Sequence, residues 1–371
     1  MDARLQRNLA AAVQLPRPLR TGPIGLDFGT ERVNLVQFSG GAKPRVQAAA
    51  SVAYPVARQA VLESGSALAQ AIEPVLRRGG FRGRRVVAAL PPGRVTLRFV
   101  PYRRTPGQDD GTAIVTALRE QQADIADAVL DYLPIRPKSE EQSERAALVA
   151  YAPRAEVVAL LDVLRAAQLD VRALEVGPVA IKRLLAAVHD QRDGNKIMSI
   201  NFGGPASFVT VLWDRDLLLD RSIEFGMDVV LGTIEDALEV SAEEAARLLR
   251  RYGIGLDPDL PAAGREFAHA LLEILKPAFI RLAEQVKKVL VYTAAETRGG
   301  AIDRIYLLGS VARCAGVDRL LQAMVEVPVE TINPFYGFDV AGGDWQRLAR
   351  EPLPGIAVSA GLALRGIVAH G

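Results

Sequence analysis

A chain of 371 residues is too long to bury one compact core and is expected to divide into two domains or lobes. Its 45 Lys and Arg against 43 Asp and Glu leave a net charge of +2, too small a basic excess to mark nucleic acid as a main partner. With 49% hydrophobic and 24% charged residues it reads as an ordinary soluble globular protein. One cysteine, Cys314, excludes an internal disulfide and points to a cytosolic setting, while His189, His269 and His370 are too scattered for metal-ligand spacing. No apolar stretch is long enough to span a bilayer, and the N-terminus lacks a signal-peptide core.

Residues 1–21 set Leu5, Leu9 and Val13 among Arg4, Arg7, Arg17 and Arg20, and are expected to be a solvated tail. The first structured stretch is Ile24-Gly25-Leu26-Asp27-Phe28-Gly29-Thr30, a strand with an acid near its tip followed by an aromatic residue and glycine. A second apolar run, Val33 to Phe38, completes a hairpin, and a third strand is expected over 45–53. A glycine turn between strands lets backbone N–H groups converge on an anion with no Cβ in the way, and the neighbouring carboxylate can hold a hydrated cation. One helix is predicted over 60–78, apolar at Leu62, Leu68, Ile72, Val75 and Leu76 and stopped by Gly79-Gly80.

Val86 to Leu90 reads as a buried strand closed by Pro91-Pro92-Gly93, and Thr96 to Val100 as a looser strand leading to solvated Arg103 and Arg104. A helix is predicted over 111–130, then a charged loop over 139–145 and a strand over 147–151. Pro153 opens an amphipathic helix with Val157, Leu160, Leu161 and Leu164 on its apolar face. Residues 86–165 are thus expected to form an insert. A strand over 171–176, a helix over 179–188 and a polar linker over 190–195 follow.

The hairpin pattern then returns as Met198-Ser199-Ile200-Asn201-Phe202-Gly203-Gly204, again followed by an apolar run, Phe208 to Trp213, and a third segment, Leu217 to Ile223. Coincidence of two hairpins would explain the short match alone, but the matching sequels favour duplication. Two such hairpins facing across a cleft would clasp a nucleotide's phosphates from both sides. Ser241-Ala242-Glu243-Glu244 is a capping box opening a helix that ends at Gly253, and a long helix over 266–296 is predicted to kink at Pro277. Arg304 to Leu308 reads as a strand ending in Gly309-Ser310, a turn suited to adenine or phosphate and equally the usual end of an αβ unit. A helix over 316–324, a short strand at Val329 and a closing helix over 356–368 complete the chain.

These features resemble the actin-like ATPase superfamily, and within it the PilM-like proteins of type IV pilus assembly and their relative, the division protein FtsA. Leu174-Glu175-Val176-Gly177-Pro178, Leu307-Leu308-Gly309-Ser310-Val311-Ala312 and Pro354-Gly355-Ile356-Ala357-Val358-Ser359-Ala360-Gly361-Leu362-Ala363 fall in that family's order around the two hairpins, so the resemblance covers nearly everything after residue 21. It implies an α/β actin-like ATPase fold with two duplicated lobes around a nucleotide cleft. The first lobe is expected over 22–195 with a small α+β insert, the second over 196–371 with a helical subdomain near 232–298. It implies ATP and Mg in the cleft, with Asp27, Gly29, Thr30, Asn201, Gly203, Gly204, Gly309 and Ser310 as binding residues and Asp27 toward the metal. It further implies a cytoplasmic scaffold, peripheral at the inner membrane, that grips the cytoplasmic N-terminal peptide of a PilN-like bitopic protein in a groove involving the insert. Self-association fits the fold.

The chain departs from that pattern where catalysis would sit. Asn201 replaces the usual acid of the second hairpin, and Gly177 stands where many relatives carry a glutamate suited to positioning water. Ala246 and Leu249 replace residues often turned toward a ribose, and only Gly309 and Ser310 remain of a glycine-richer adenine loop. These departures point to a nucleotide held with little hydrolysis. The alternatives are an active ATPase such as an FtsA-like division protein, or a sugar-kinase relative, for which no acid paired with polar sugar-binding residues is found.

Overall fold

The computed structural model describes residues 21–40, 44–105, 107–121, 125–135, 144–189, 194–254, 261–340 and 353–367. Residues 1–20 of the expected tail, 139–143 of the charged loop, 190–193 of the linker and Val368 of the closing helix lie outside them.

The chain opens on an antiparallel meander, β1 (Thr21–Phe28), β2 (Arg32–Ser39) and β3 (Arg45–Ala53). Val33, Leu35, Val36 and Phe38 of β2 are all fully buried, as a strand covered on both faces requires. The single helix predicted over 60–78 is two, α1 (Arg58–Glu63) and α2 (Gly65–Arg78). Ser64 breaks it: its backbone is extended, and its hydroxyl accepts the Ala67 N–H at 3.3 Å, capping α2. Next comes β4 (Arg85–Ala89), buried from Val86 to Ala89 and parallel to β1.

The insert is narrower than 86–165, because β4 belongs to the large sheet. It comprises β5 (Thr96–Arg103), α3 (Asp110–Glu120), β6 (Ala128–Pro134) and β7 (Glu144–Pro153), with the strands in the antiparallel order β5-β7-β6. The helix predicted over 111–130 therefore stops at Glu120, and its last residues, 128–130, open β6. Leu130 and Tyr132 alternate onto α3 beside Val100, Tyr102 and Val149, the period of a strand and not of a helix. The helix that follows, α4 (Arg154–Ala166), packs mainly on α1 and α2 of the first lobe. A Cβ on Gly65 would lie 2.4 Å from the Ala166 Cβ. After it come β8 (Asp170–Glu175), parallel to β4, and α5 (Gly177–Val188).

The second half repeats this plan. Another meander, β9 (Lys196–Phe202), β10 (Ser207–Trp213) and β11 (Asp216–Ile223), is followed by α6 (Met227–Leu238), α7 (Ala242–Tyr252) and α8 (Ala262–Glu296). The expected kink at Pro277 does not interrupt α8. Then come β12 (Arg304–Gly309), α9 (Val317–Gln322) and β13 (Val329–Thr331). The sheet order β11-β10-β9-β12-β13 matches β3-β2-β1-β4-β8, with the same parallel and antiparallel senses at every step. Duplication is thus built into the topology.

The final stretch does not stay with the second half. β14 (Asp339–Val340) pairs with β3 at the edge of the first sheet, and α10 (Ala357–Ala363) packs on β1, β2 and β4. Conversely, α5 leans on β10 and β11. The two helices cross between the sheets in one shared core, which joins Phe38 and Val87 of the first to Ile197, Leu212 and Leu308 of the second. The crossing is close. A Cβ on Gly361 would lie 2.0 Å from the Ala180 carbonyl oxygen, and one on Gly25 would lie 1.9 Å from that of Ser359. Gly25 of the first motif therefore serves helix packing. Beside the crossing, buried Glu175 pairs with Arg183 at 2.9 and 3.0 Å and with Arg365.

Gly361→Ala is expected to lower the unfolding free energy by about 3 kcal/mol through overpacking. Gly232→Ala in α6, where a Cβ would meet nothing within 4 Å, should raise it by about 0.5–1 kcal/mol through helix propensity. Urea denaturation of both variants checks the pair.

Candidate functional site

A polar ladder runs across the first meander. Asp27, near the tip of β1, accepts a hydrogen bond at 3.2 Å from Nδ2 of Asn34, its partner on β2. Asn34 Oδ1 accepts from the Ser51 hydroxyl at 2.7 Å, and Arg32 donates to that hydroxyl at 2.9 Å and to the Ser51 carbonyl at 2.6 Å. Burial pushes the Asp27 carboxyl up to about 6, against the Asn34 hydrogen bond and the Arg58 charge, which pull it down. Arg58 also shapes the turn, donating to the Phe28 and Gly29 carbonyls at 3.0 Å each, while the Tyr54 hydroxyl donates to Gly29 at 2.9 Å. Gly29 has no room for a side chain, since a Cβ would lie 2.9 Å from Asn34 Nδ2.

The second hairpin turns tightly, with the Gly203 N–H donating to the Ala206 carbonyl at 3.1 Å. Its Gly203 and Gly204 carbonyls accept the Met227 and Asp228 N–H groups at 2.9 and 3.0 Å, satisfying donors that the start of α6 would otherwise leave unpaired. The turn after β12 locks onto this hairpin. Gly309 has a φ of +83°, and a Cβ there would lie 2.7 Å from Asn201 Oδ1. The Ser310 N–H donates to the Phe202 carbonyl at 2.8 Å, and the Ser310 hydroxyl lies 3.0 and 2.8 Å from the Phe202 and Gly203 carbonyls. Buried in this way, Ser310 braces the hairpin.

The hairpins face each other across a cleft of about 770 Å³. Asp27, Gly29, Thr30, Asn201, Gly203, Gly204, Gly309 and Ser310 all line it. The hairpins nearly meet at Thr30, whose methyl would lie 3.3 Å from a Cβ on Gly204. At the rim, Arg313 from the second half forms an ion pair with Glu31 of the first. Gly177 also lines the cleft, and a Cβ there would meet nothing within 4 Å, so a larger side chain has room.

Ala246 and Leu249, which the resemblance sets where relatives turn residues toward a ribose, stand away from the cleft lining. Leu249 is buried in the core of the second half, neither residue lines the cleft, and the helical period turns this side of α7 inward. Sequence reading missed Arg32, Arg58, Asp228 and Arg313, which also line the cleft. Gly226, next to Met227 and Asp228, was the one available signal, because a Cβ there would lie 2.1 Å from the Gly204 carbonyl oxygen. Among the described residues there is no group of three or more His, Cys, Asp or Glu side chains that could hold a metal ion. Hydrated magnesium does not need one, since it is held by one or two carboxylates together with a ligand's phosphates, and Asp27 offers a carboxylate to the cleft.

The family profile described as type IV pilus assembly protein PilM matches residues 25–367. The chain belongs to the PilM family. It is similar to a chain of the solved PilM-PilN type IV pilus biogenesis complex at 25% identity and a TM-score of 0.76, covering 95% of this chain and 100% of that one. The ethanolamine utilization protein EutJ from Carboxydothermus hydrogenoformans shares the fold at 14% identity and a TM-score of 0.55, with 95% and 92% covered. The architecture of this PilM-family chain is that of the actin-like ATPases. No helix among the described residues is long and apolar enough to cross a membrane.

The raised Asp27 carboxyl carries a signed consequence for stability. Its folded value of about 6 exceeds the unfolded value of 3.8, so its ionisation opposes folding. That opposition is absent below pH 3.8, grows as the pH rises, and is complete above about pH 6. Asp27→Asn is expected to stabilise the protein by about 1–2 kcal/mol at pH 7 and by less than about 0.5 kcal/mol at pH 3.8, as read by denaturant titration at both pH values.

Proposed function

We propose that this PilM-family protein is a cytoplasmic scaffold of a type IV pilus or related assembly machine. It binds the cytoplasmic N-terminal peptide of a PilN-like bitopic inner-membrane protein and is thereby held at the membrane. The observation that carries this reading is the end-to-end similarity to a chain of the PilM-PilN complex. The insert offers a surface for such a peptide. β5 and β6 are the outer strands of its sheet, and an extended peptide adds to a strand edge through main-chain hydrogen bonds. Phe99 and Val129, each 40% exposed, stand on the sheet face that α3 leaves uncovered.

The cleft holds Mg-ATP with little hydrolysis in this reading. Glycine hairpins and Asp27 supply phosphate and cation contacts, while Gly177 supplies no group to orient an attacking water. The nucleotide then acts as a structural ligand that stabilises the paired lobes.

Calorimetric titration of the cytoplasmic N-terminal peptide of a PilN-like protein is expected to show micromolar binding, weakened about tenfold by Phe99→Ala. Absence of heat with the intact chain would overturn the partner assignment. Mg-ATP should bind without steady turnover, and Gly177→Glu should add turnover without loss of folding. Steady hydrolysis by the unaltered protein would overturn the scaffold reading in favour of an active ATPase.

A further inference from the structure

The second hairpin carries Asn201 at the position that Asp27 holds in the first, and both line the cleft. An amide oxygen offers a dipole and a carboxylate a full charge, so the substitution removes much of the second lobe's hold on a hard divalent ion. Three acidic residues line the cleft among the described residues, Asp27, Glu31 and Asp228. Glu31 is occupied by Arg313 at the rim, and Asp27 belongs to the first lobe. Asp228 comes from the second.

Its placement is set by glycine. The Asp228 N–H donates to the Gly204 carbonyl at 3.0 Å, which fixes the first turn of α6 against the hairpin. Both oxygens of its carboxylate would lie 3.2 Å from a Cβ on Gly204, and the Thr30 methyl would lie 3.3 Å from the same point. The missing side chain of Gly204 thus leaves a notch bordered by the Asp228 carboxylate and by Thr30 of the first hairpin. No hydrogen bond or ion pair among the described residues occupies that carboxylate, and its residue is exposed to the cleft. An acid in the first turn also suits a helix dipole. That role alone would not require a notch bordered by the opposite lobe.

We propose that Asp228, in place of Asn201, is the second lobe's carboxylate toward a divalent cation carried by a nucleotide's phosphates, opposite Asp27 of the first lobe. This rests on the nucleotide reading above. The donors are oxygens only, which suits magnesium or manganese. The acid missing from the tip of β9 is supplied by the helix after the third strand.

The test is titration of ATP into the full chain with magnesium and, separately, with EDTA. The unaltered protein is expected to bind ATP more tightly with magnesium. Asp228→Asn should lose about tenfold in magnesium and stay within about twofold in EDTA, and its melting temperature without ligand should not move. Asn201→Asp added to that variant should recover the magnesium-dependent gain. Equal losses with and without metal, or no loss at all, would overturn the role of Asp228 while leaving nucleotide binding intact. No ATP binding by the unaltered protein in either condition would overturn the nucleotide reading and this inference with it.

Discussion

Two backbone approaches organise the molecule, α10 against β1 at Gly25 and α10 against α5 at Gly361. Each is so close that a single added methyl group would overlap a carbonyl oxygen. Because α10 ends the second half yet lies under the first sheet, and α5 ends the first yet lies under the second, neither half completes its core alone. Burying apolar side chains in the shared layer therefore also fixes the relative position of the two meanders. Glu175 adds specificity here. A buried carboxylate is costly unless paired, and Arg183 with Arg365 anchors α5, β8 and the end of α10 in one register.

From that base the hairpins project toward each other. Their carbonyls are taken up by neighbouring groups, Tyr54 and Arg58 on one side, the start of α6 and Ser310 on the other. Each turn is thereby braced from behind by its own lobe. The link across the rim is slight by comparison. The Glu31 and Arg313 side chains are about one-third exposed, and ion pairs of that kind contribute about 0–1 kcal/mol. A firm crossing at the base and a weak contact at the rim leave the cleft able to open for a ligand without disturbing the core.

The duplication was legible because a glycine turn demands glycine twice, and the apolar runs that follow each turn repeat with it. The line of cleft residues from Asp27 to Ser310 was legible for the same reason. What lay hidden depends on contacts distant in sequence. Arg58 and Asp228 sit at helix starts whose local pattern says nothing about the hairpins they brace, and Gly25 looks like part of an anion loop until α10 is placed beneath it. The overlong helix predicted over 111–130 failed on period, since the alternation of Leu130 and Tyr132 is short and apolar residues nearby also fit a helix. Ser64 was passed over because one cap inside a continuous apolar pattern resembles a tolerated polar residue.

In the proposed function, hairpins from the two duplicated halves form one ligand site on a shared core. Amide hydrogen exchange with and without Mg-ATP tests it most directly, because each turn's amides report separately. Slowed exchange is expected at 26–31 and 201–206 together, at the same ligand concentration. Slowing confined to one hairpin, or tight binding of Mg-ATP with neither hairpin slowed, would contradict it.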